Sequence, residues 1–158
     1  MDDDKLKDDF HDWWTDAARA VGLSPSDYDV LQGTFFKVLS AMPETEREAF
    51  FENRPHIICT PDYGFALCIW VAPWPRDDLI PVSVIFLRHD VIKHKSFIDT
   101  VAHEIAHIVR GDHKASGGPE PGVSYEHEKG ADDLSESWGF KRCYGKTKLA
   151  KLKSHPRA

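Results

Sequence analysis

Apolar residues recur every three to four positions at the start of this chain and every second position in its middle. Over residues 4–20, Phe10, Trp13, Trp14, Ala17 and Val21 follow helical spacing and predict an amphipathic helix. The stretch GLSPSDYDVLQGTFFKVLSAM restarts a helix. Ser24 suits the N-cap, Pro25 the first turn, and Asp27 completes an S-x-x-D box. After Pro43, ETEREAFFEN predicts a third, short helix.

From Arg54 the period changes to two. HIICT reads as a strand and PDYG as a turn; FALCIWV alternates Phe65, Leu67, Ile69 and Val71 against Ala66, Cys68 and Trp70. APWPRDD is a Pro-rich loop and VSVIFLR a further strand. The expectation is a small meander of about three strands, antiparallel or mixed, with antiparallel pairing the natural choice. Two helices follow, Phe97 to Arg110 and about Tyr125 to Cys143, separated by the Gly/Pro-rich GDHKASGGPEPGV. Helices, then a small sheet, then two helices argue an α+β domain. Its expected parts are an N-terminal helical segment (1–53), a core (54–145) and a basic tail (146–158).

Composition changes this picture little. A 158-residue chain with 41% hydrophobic and 29% charged residues is ordinary for one globular domain. No apolar run approaches the ~20 residues a membrane span needs, and MDDDKLKDDF lacks the basic start of a secretory signal. Neither export nor insertion is expected, and a cytoplasmic location is the default. Cys59, Cys68 and Cys143 are odd in number and show no C-x-x-C spacing, as expected of reduced thiols. The net charge of −6 is unevenly spread: residues 1–16 carry seven Asp against two Lys, and residues 141–158 carry seven Lys or Arg and no acid. Such a tail either is simply solvated or holds an acidic partner.

AARAVGLSPSDYDVL fits the template of a DNA-binding helix-turn-helix, with Gly22 at the turn. The would-be recognition helix, PSDYDVLQ, carries Asp27 and Asp29 and no Lys or Arg, so phosphates would repel it. Nucleic-acid binding here is disfavoured, and a helical hairpin packed on the sheet is the better reading.

The chemistry concentrates in VAHEIAHIVRGDH. Ser96 and Asp99 are placed as a capping box and Gly111 as the helix stop. Phe97, Val101, Ile105 and Ile108 share one side of the helix; His103 and His107, four apart, stack on the other. That spacing lets two imidazoles reach one tetrahedral Zn2+. Glu104, one step round the helix, is placed as the general base that takes a proton from the attacking water. A chance H-E-x-x-H somewhere in this composition is expected at roughly 3%.

A third protein ligand is required. His113 lies six residues beyond His107, the distance used by metzincins and SprT-like proteases. The metzincin glycine position is Arg110 here, with Gly111 one place late, and the only methionines, Met1 and Met42, supply no Met-turn. Glu128 is the stronger candidate. Asp132, four residues on, shares its helical face and is placed to accept a ring N–H from a ligating histidine. Ser135 and Gly139 continue that face with small side chains, suited to close approach of the two helices.

HEIAHIVRGDH followed by EKGADDLSESWGF resembles the gluzincin pattern HExxH…ExxxD. It is similar above all to the small ImmA/IrrE-like and minigluzincin metallopeptidases. The resemblance covers about residues 97–140 firmly and the preceding strands loosely. It implies a zincin-type pair of C-terminal helices, with His103, His107 and Glu128 as zinc ligands, Glu104 as base and Asp132 supporting a ligand. It also implies a protein or peptide substrate, with a helix-turn-helix transcriptional regulator as its guess.

The expected function is therefore zinc-dependent hydrolysis of a peptide bond in an intracellular protein. Two alternatives stay open: a non-catalytic zinc-binding regulatory or interaction protein, and an SprT-like, nucleic-acid-associated protease using His113. Donors for an oxyanion are sought among His127, Tyr125, His113 and Arg142 without a decision. VSVIFLR, the last strand before the metal helix, is the expected edge for an extended substrate.

Overall fold

A computed structural model of the chain describes residues 3–20, 22–60, 66–71, 82–112 and 125–144. Helix α1 (Asp3–Ala17) leads into a three-residue strand β1 (Ala18–Ala20), and α2 (Pro25–Ala41) and α3 (Glu44–Glu52) follow. Strands β2 (His56–Thr60), β3 (Ala66–Val71) and β4 (Val82–Arg88) come next. A 3₁₀ turn (His89–Lys93) then connects to α4 (Phe97–Arg110) and α5 (Tyr125–Ser137). The chain combines helices with a sheet, as the periodicity predicts.

The sheet departs from the expected meander. Among the described residues it has four strands rather than about three, in the order β1-β2-β4-β3. β1 pairs parallel with β2, β2 parallel with β4, and only β3 and β4 run antiparallel. β4 inserts between β2 and β3, so consecutive strands β2 and β3 are not neighbours. VSVIFLR is thus an interior strand with both edges paired, and the expectation that it offers a free edge is corrected; among the described residues the outer strands are β1 and β3.

β1 also corrects the first helix, which ends at Ala17 rather than at residue 20. Ala18, Arg19 and Ala20 take register opposite Ile57, Ile58 and Cys59. Ladder hydrogen bonds to β2 replace the helical bonds that Ala and Arg would otherwise favour. The same strand interrupts the helix-turn-helix template, whose first helix would need residues 18–20.

Register lines up one apolar stripe across the sheet: Ile57 faces Ile85 and Cys59 faces Leu87, all four between 0% and 1% exposed. Against this stripe pack Phe10 and Trp14 of α1, Leu31 and Phe35 of α2, Phe50 of α3, and Val101 and Ile105 of α4. Burial of this kind contributes roughly 25 cal/mol per Å² and fixes which face of each helix turns inward. Trp13 fastens α1 to the start of β2 through its indole N–H on the Pro55 carbonyl at 3.0 Å. In α2 the Ser24 hydroxyl accepts the Asp27 backbone N–H at 3.1 Å, as the capping box requires.

Candidate metal centre

α4 carries the site, and its limits match the predicted Phe97–Arg110. Phe97, Val101, Ile105 and Ile108 are buried against the core. On the other side His103, Glu104 and His107 are buried too, at 2%, 7% and 9% exposure. Three ionisable groups in a row without water need partners close by.

α5 supplies them. Its inner face presents Glu128, Asp132 and Ser135, at helical intervals of four and three, with Ala131 beside them. The His103 Nε2 lies 3.0 Å from Glu128 Oε2, and its Nδ1 lies 3.0 Å from Asp132 Oδ1. The His107 Nε2 lies 3.2 Å from His103 Nε2 and 3.7 Å from Glu128 Oε1. The expected residues His103, His107, Glu128 and Asp132 therefore come together. Glu104 and His103 border a cleft of about 640 Å³ together with Thr100, Arg88, Asp90 and Tyr144. His113 lies outside the described residues.

A hydrogen-bond partner that sequence periodicity does not place sits on the far side of His107. Asp112 Oδ2 is 3.0 Å from His107 Nδ1 and accepts the Arg110 Nε–H at 2.9 Å. It reaches back because Gly111 adopts φ +72°, the left-handed conformation that ends α4. Sequence reasoning used Gly111 only as a stop and judged it against a third histidine. The signal was present in the dipeptide Gly111-Asp112: a left-handed residue followed by a carboxylate turned under the helix end.

With Asp132 and Asp112 each accepting an Nδ1–H, both Nε2 atoms present lone pairs, and both face the Glu128 carboxylate. Three acceptors converging in a buried space repel one another unless a cation lies between them. In metal-free protein a proton takes that place. Burial works against a charged imidazole, but hydrogen bonds to Asp132 and Glu128 outweigh it and raise His103 to about 9. Burial likewise opposes charge on His107, yet Asp112 and Glu128 raise it to about 10. Burial pushes the Glu128 carboxyl up, while the two histidines bring it down to about 2.

The donor set also fits a metal ion. Ligands about 2.0–2.1 Å from a tetrahedral centre are separated by about 3.3 Å; the two Nε2 atoms lie 3.2 Å apart, with Glu128 Oε2 3.0 Å from His103 and Oε1 3.7 Å from His107. A second cluster, His103 with Asp132 and Cys143, is less suited. Asp132 already accepts the backbone N–H groups of Cys143 and Tyr144 at 2.9 and 3.0 Å. Burial first, then the charges of Asp132 and Glu104, hold the Cys143 thiol up at about 12, so it keeps its proton.

Other expected features move. The Ser96–Asp99 capping box does not form: the Ser96 hydroxyl bonds to His94 Nδ1 at 2.7 Å, and Asp99 accepts the Lys141 backbone N–H at 2.9 Å. α5 stops at Ser137, not near Cys143, because Gly139 takes φ +95°. Gly139 thus ends the helix rather than lining the helix contact. At Gly130 the Arg110 guanidinium occupies the space an added Cβ would take. Of the oxyanion candidates, Arg142 is held by Asp133 and Glu136 at 2.6 and 2.7 Å. Tyr125 and His127 are half-buried on α5.

Compared with family models, with curated proteins and with solved structures, the chain finds no match.

Proposed function

We propose that this protein is a zinc-dependent peptide hydrolase of the gluzincin type, with His103, His107 and Glu128 as the zinc ligands. The observation that carries the reading is the convergence of two histidine Nε2 atoms and one carboxylate within tetrahedral distances, beside a buried Glu104 that borders a cleft. Zinc held there would supply a Lewis acid that polarises a carbonyl and acidifies water at neutral pH.

The chain's own residues would do the rest. Asp132 and Asp112 fix the two imidazole tautomers so that both Nε2 lone pairs point inward. Glu104 accepts a proton from the attacking water and delivers it to the leaving amine nitrogen. An extended substrate chain would pair along β3, an outer strand among the described residues, which packs on α4. A cleft at the site favours catalysis over a closed structural zinc. The substrate suggested by the resemblance is an intracellular protein, with a transcriptional regulator as one instance. No helix among the described residues is long and apolar enough to cross a membrane.

The test is Glu104→Gln. The variant is expected to bind one zinc per chain as the parent does, and to cleave no peptide in a mixture that the parent digests. A parent protein that takes up zinc but cleaves nothing would leave only the zinc-binding regulatory reading.

A further inference from the structure

We infer that the Tyr144 hydroxyl is the hydrogen-bond donor that meets the oxyanion formed on the substrate carbonyl. The inference rests on the hydrolase reading above and supplies the donor that reading lacks.

Tyr144 follows α5 by seven residues and is tied to the site twice. Its backbone N–H reaches Asp132 Oδ2 at 3.0 Å, while the neighbouring Cys143 N–H reaches Oδ1 at 2.9 Å. The same Oδ1 holds His103 Nδ1. One buried carboxylate therefore orients a histidine ligand and places the tyrosine. The phenol ring lies over His103, with centroids 5.5 Å apart and planes 36° apart. The residue borders the cleft with His103 and Glu104.

Of the other donors bordering the cleft, three side chains are held by neighbours. Arg88 pairs with Asp90, and Arg142 with Asp133 and Glu136. His94 bonds to Ser96. Tyr144 joins a backbone fixed on Asp132, a ring over His103 and a place on the cleft that Glu104 also borders. A phenol keeps its proton at neutral pH and so is a donor there.

In the step, the water oxygen bonds to the carbonyl carbon and the carbonyl π pair moves to its oxygen. Glu104 takes the water proton. Tyr144 donates a hydrogen bond to the new oxyanion and keeps its own proton. Were zinc held by Glu128, that carboxylate would be a weaker acceptor and would leave the O–H to the oxyanion. The C–N bond breaks as Glu104 returns the proton to the amine.

Tyr144→Phe keeps the ring and removes the donor. Acetohydroxamate, whose anionic oxygen stands in for the oxyanion, is the probe, titrated into zinc-loaded parent and variant. The variant is expected to keep one zinc per chain and to bind the probe about tenfold more weakly. Where a cleaved peptide is in hand, kcat/KM is expected to fall roughly 10²–10³-fold. In the parent, probe binding is expected to perturb the tyrosine ultraviolet spectrum, a readout that needs no folded variant. Equal probe affinity in variant and parent, loss of zinc from the variant, or a silent tyrosine spectrum in the parent overturns the inference. A parent that binds the probe through Tyr144 yet cleaves no peptide sinks the hydrolase reading and spares this donor.

Discussion

Asp132 and His103 stand 29 positions apart in the chain and 3.0 Å apart in space, Oδ1 to Nδ1, with Asp132 fully buried. A carboxylate in such a place needs every lone pair answered, and the Cys143 and Tyr144 N–H groups answer the remainder. One side chain thus joins α4, α5 and the segment after α5.

Asp132→Ala should therefore do two kinds of harm. Zinc affinity, measured against a chromophoric chelator, is expected to drop roughly 10–100-fold because the His103 tautomer is no longer fixed. Thermal unfolding of the metal-free variant is expected to show a loss of about 1–3 kcal/mol from backbone donors left unanswered. An unchanged chelator competition would remove Asp132 from the site.

The third ligand is decided by a pair of variants. Glu128→Ala is expected to abolish stoichiometric zinc, and His113→Ala to leave it intact, as read by metal analysis after dialysis. The opposite result would hand the position to His113 and with it the SprT-like reading.

Gly111 tests the link between a backbone angle and the proposed metal centre. Its φ of +72° is hard for any residue with a Cβ, although the space around it is open. Gly111→Ala is expected to cost about 1–2 kcal/mol in denaturant unfolding. Displacing Asp112 from His107 should also weaken zinc several-fold. Loss of stability with undiminished zinc affinity would detach Asp112 from the centre.

The metal-free protein should respond to pH in a defined direction. His103 and His107 are raised to about 9 and about 10, so the stability they add is complete below the unfolded value of about 6.5. It is lost as pH climbs through 9 to 10. Glu128, lowered to about 2, adds stability above about 4.5 that disappears as pH falls toward 2. Melting temperatures of apo protein are expected to decline above about pH 6.5. The increment that zinc adds should grow over the same range, because the metal displaces protons from the imidazoles. An increment independent of pH would contradict ligation through these histidines.

Much of this site was legible in the residues. The four-residue step from His103 to His107 and the step from Glu128 to Asp132 are properties of one helix each, governed by neighbours in sequence. Their meeting was inferred from chemistry and from resemblance, and α5 does lie against α4. Asp112 and Tyr144 were not seen. Their positions follow from left-handed turns at Gly111 and Gly139, which redirect the chain after each helix ends. A periodicity argument stops where the period stops.

The sequence alone determined the helical faces, the limits of α4 and the sets of donors each helix carries, because side-chain direction in a helix repeats every 3.6 residues. Tertiary structure decided which strands pair, giving β1-β2-β4-β3 in place of a meander and taking Ala18–Ala20 from a helix into the sheet. It also decided that Ser96 and Asp99 serve other partners and that Asp132 binds the segment beyond α5. The physical reason is range: a helical hydrogen bond closes within four residues, whereas a strand pair or a buried carboxylate chooses among partners far along the chain, and only packing of the whole core settles that choice.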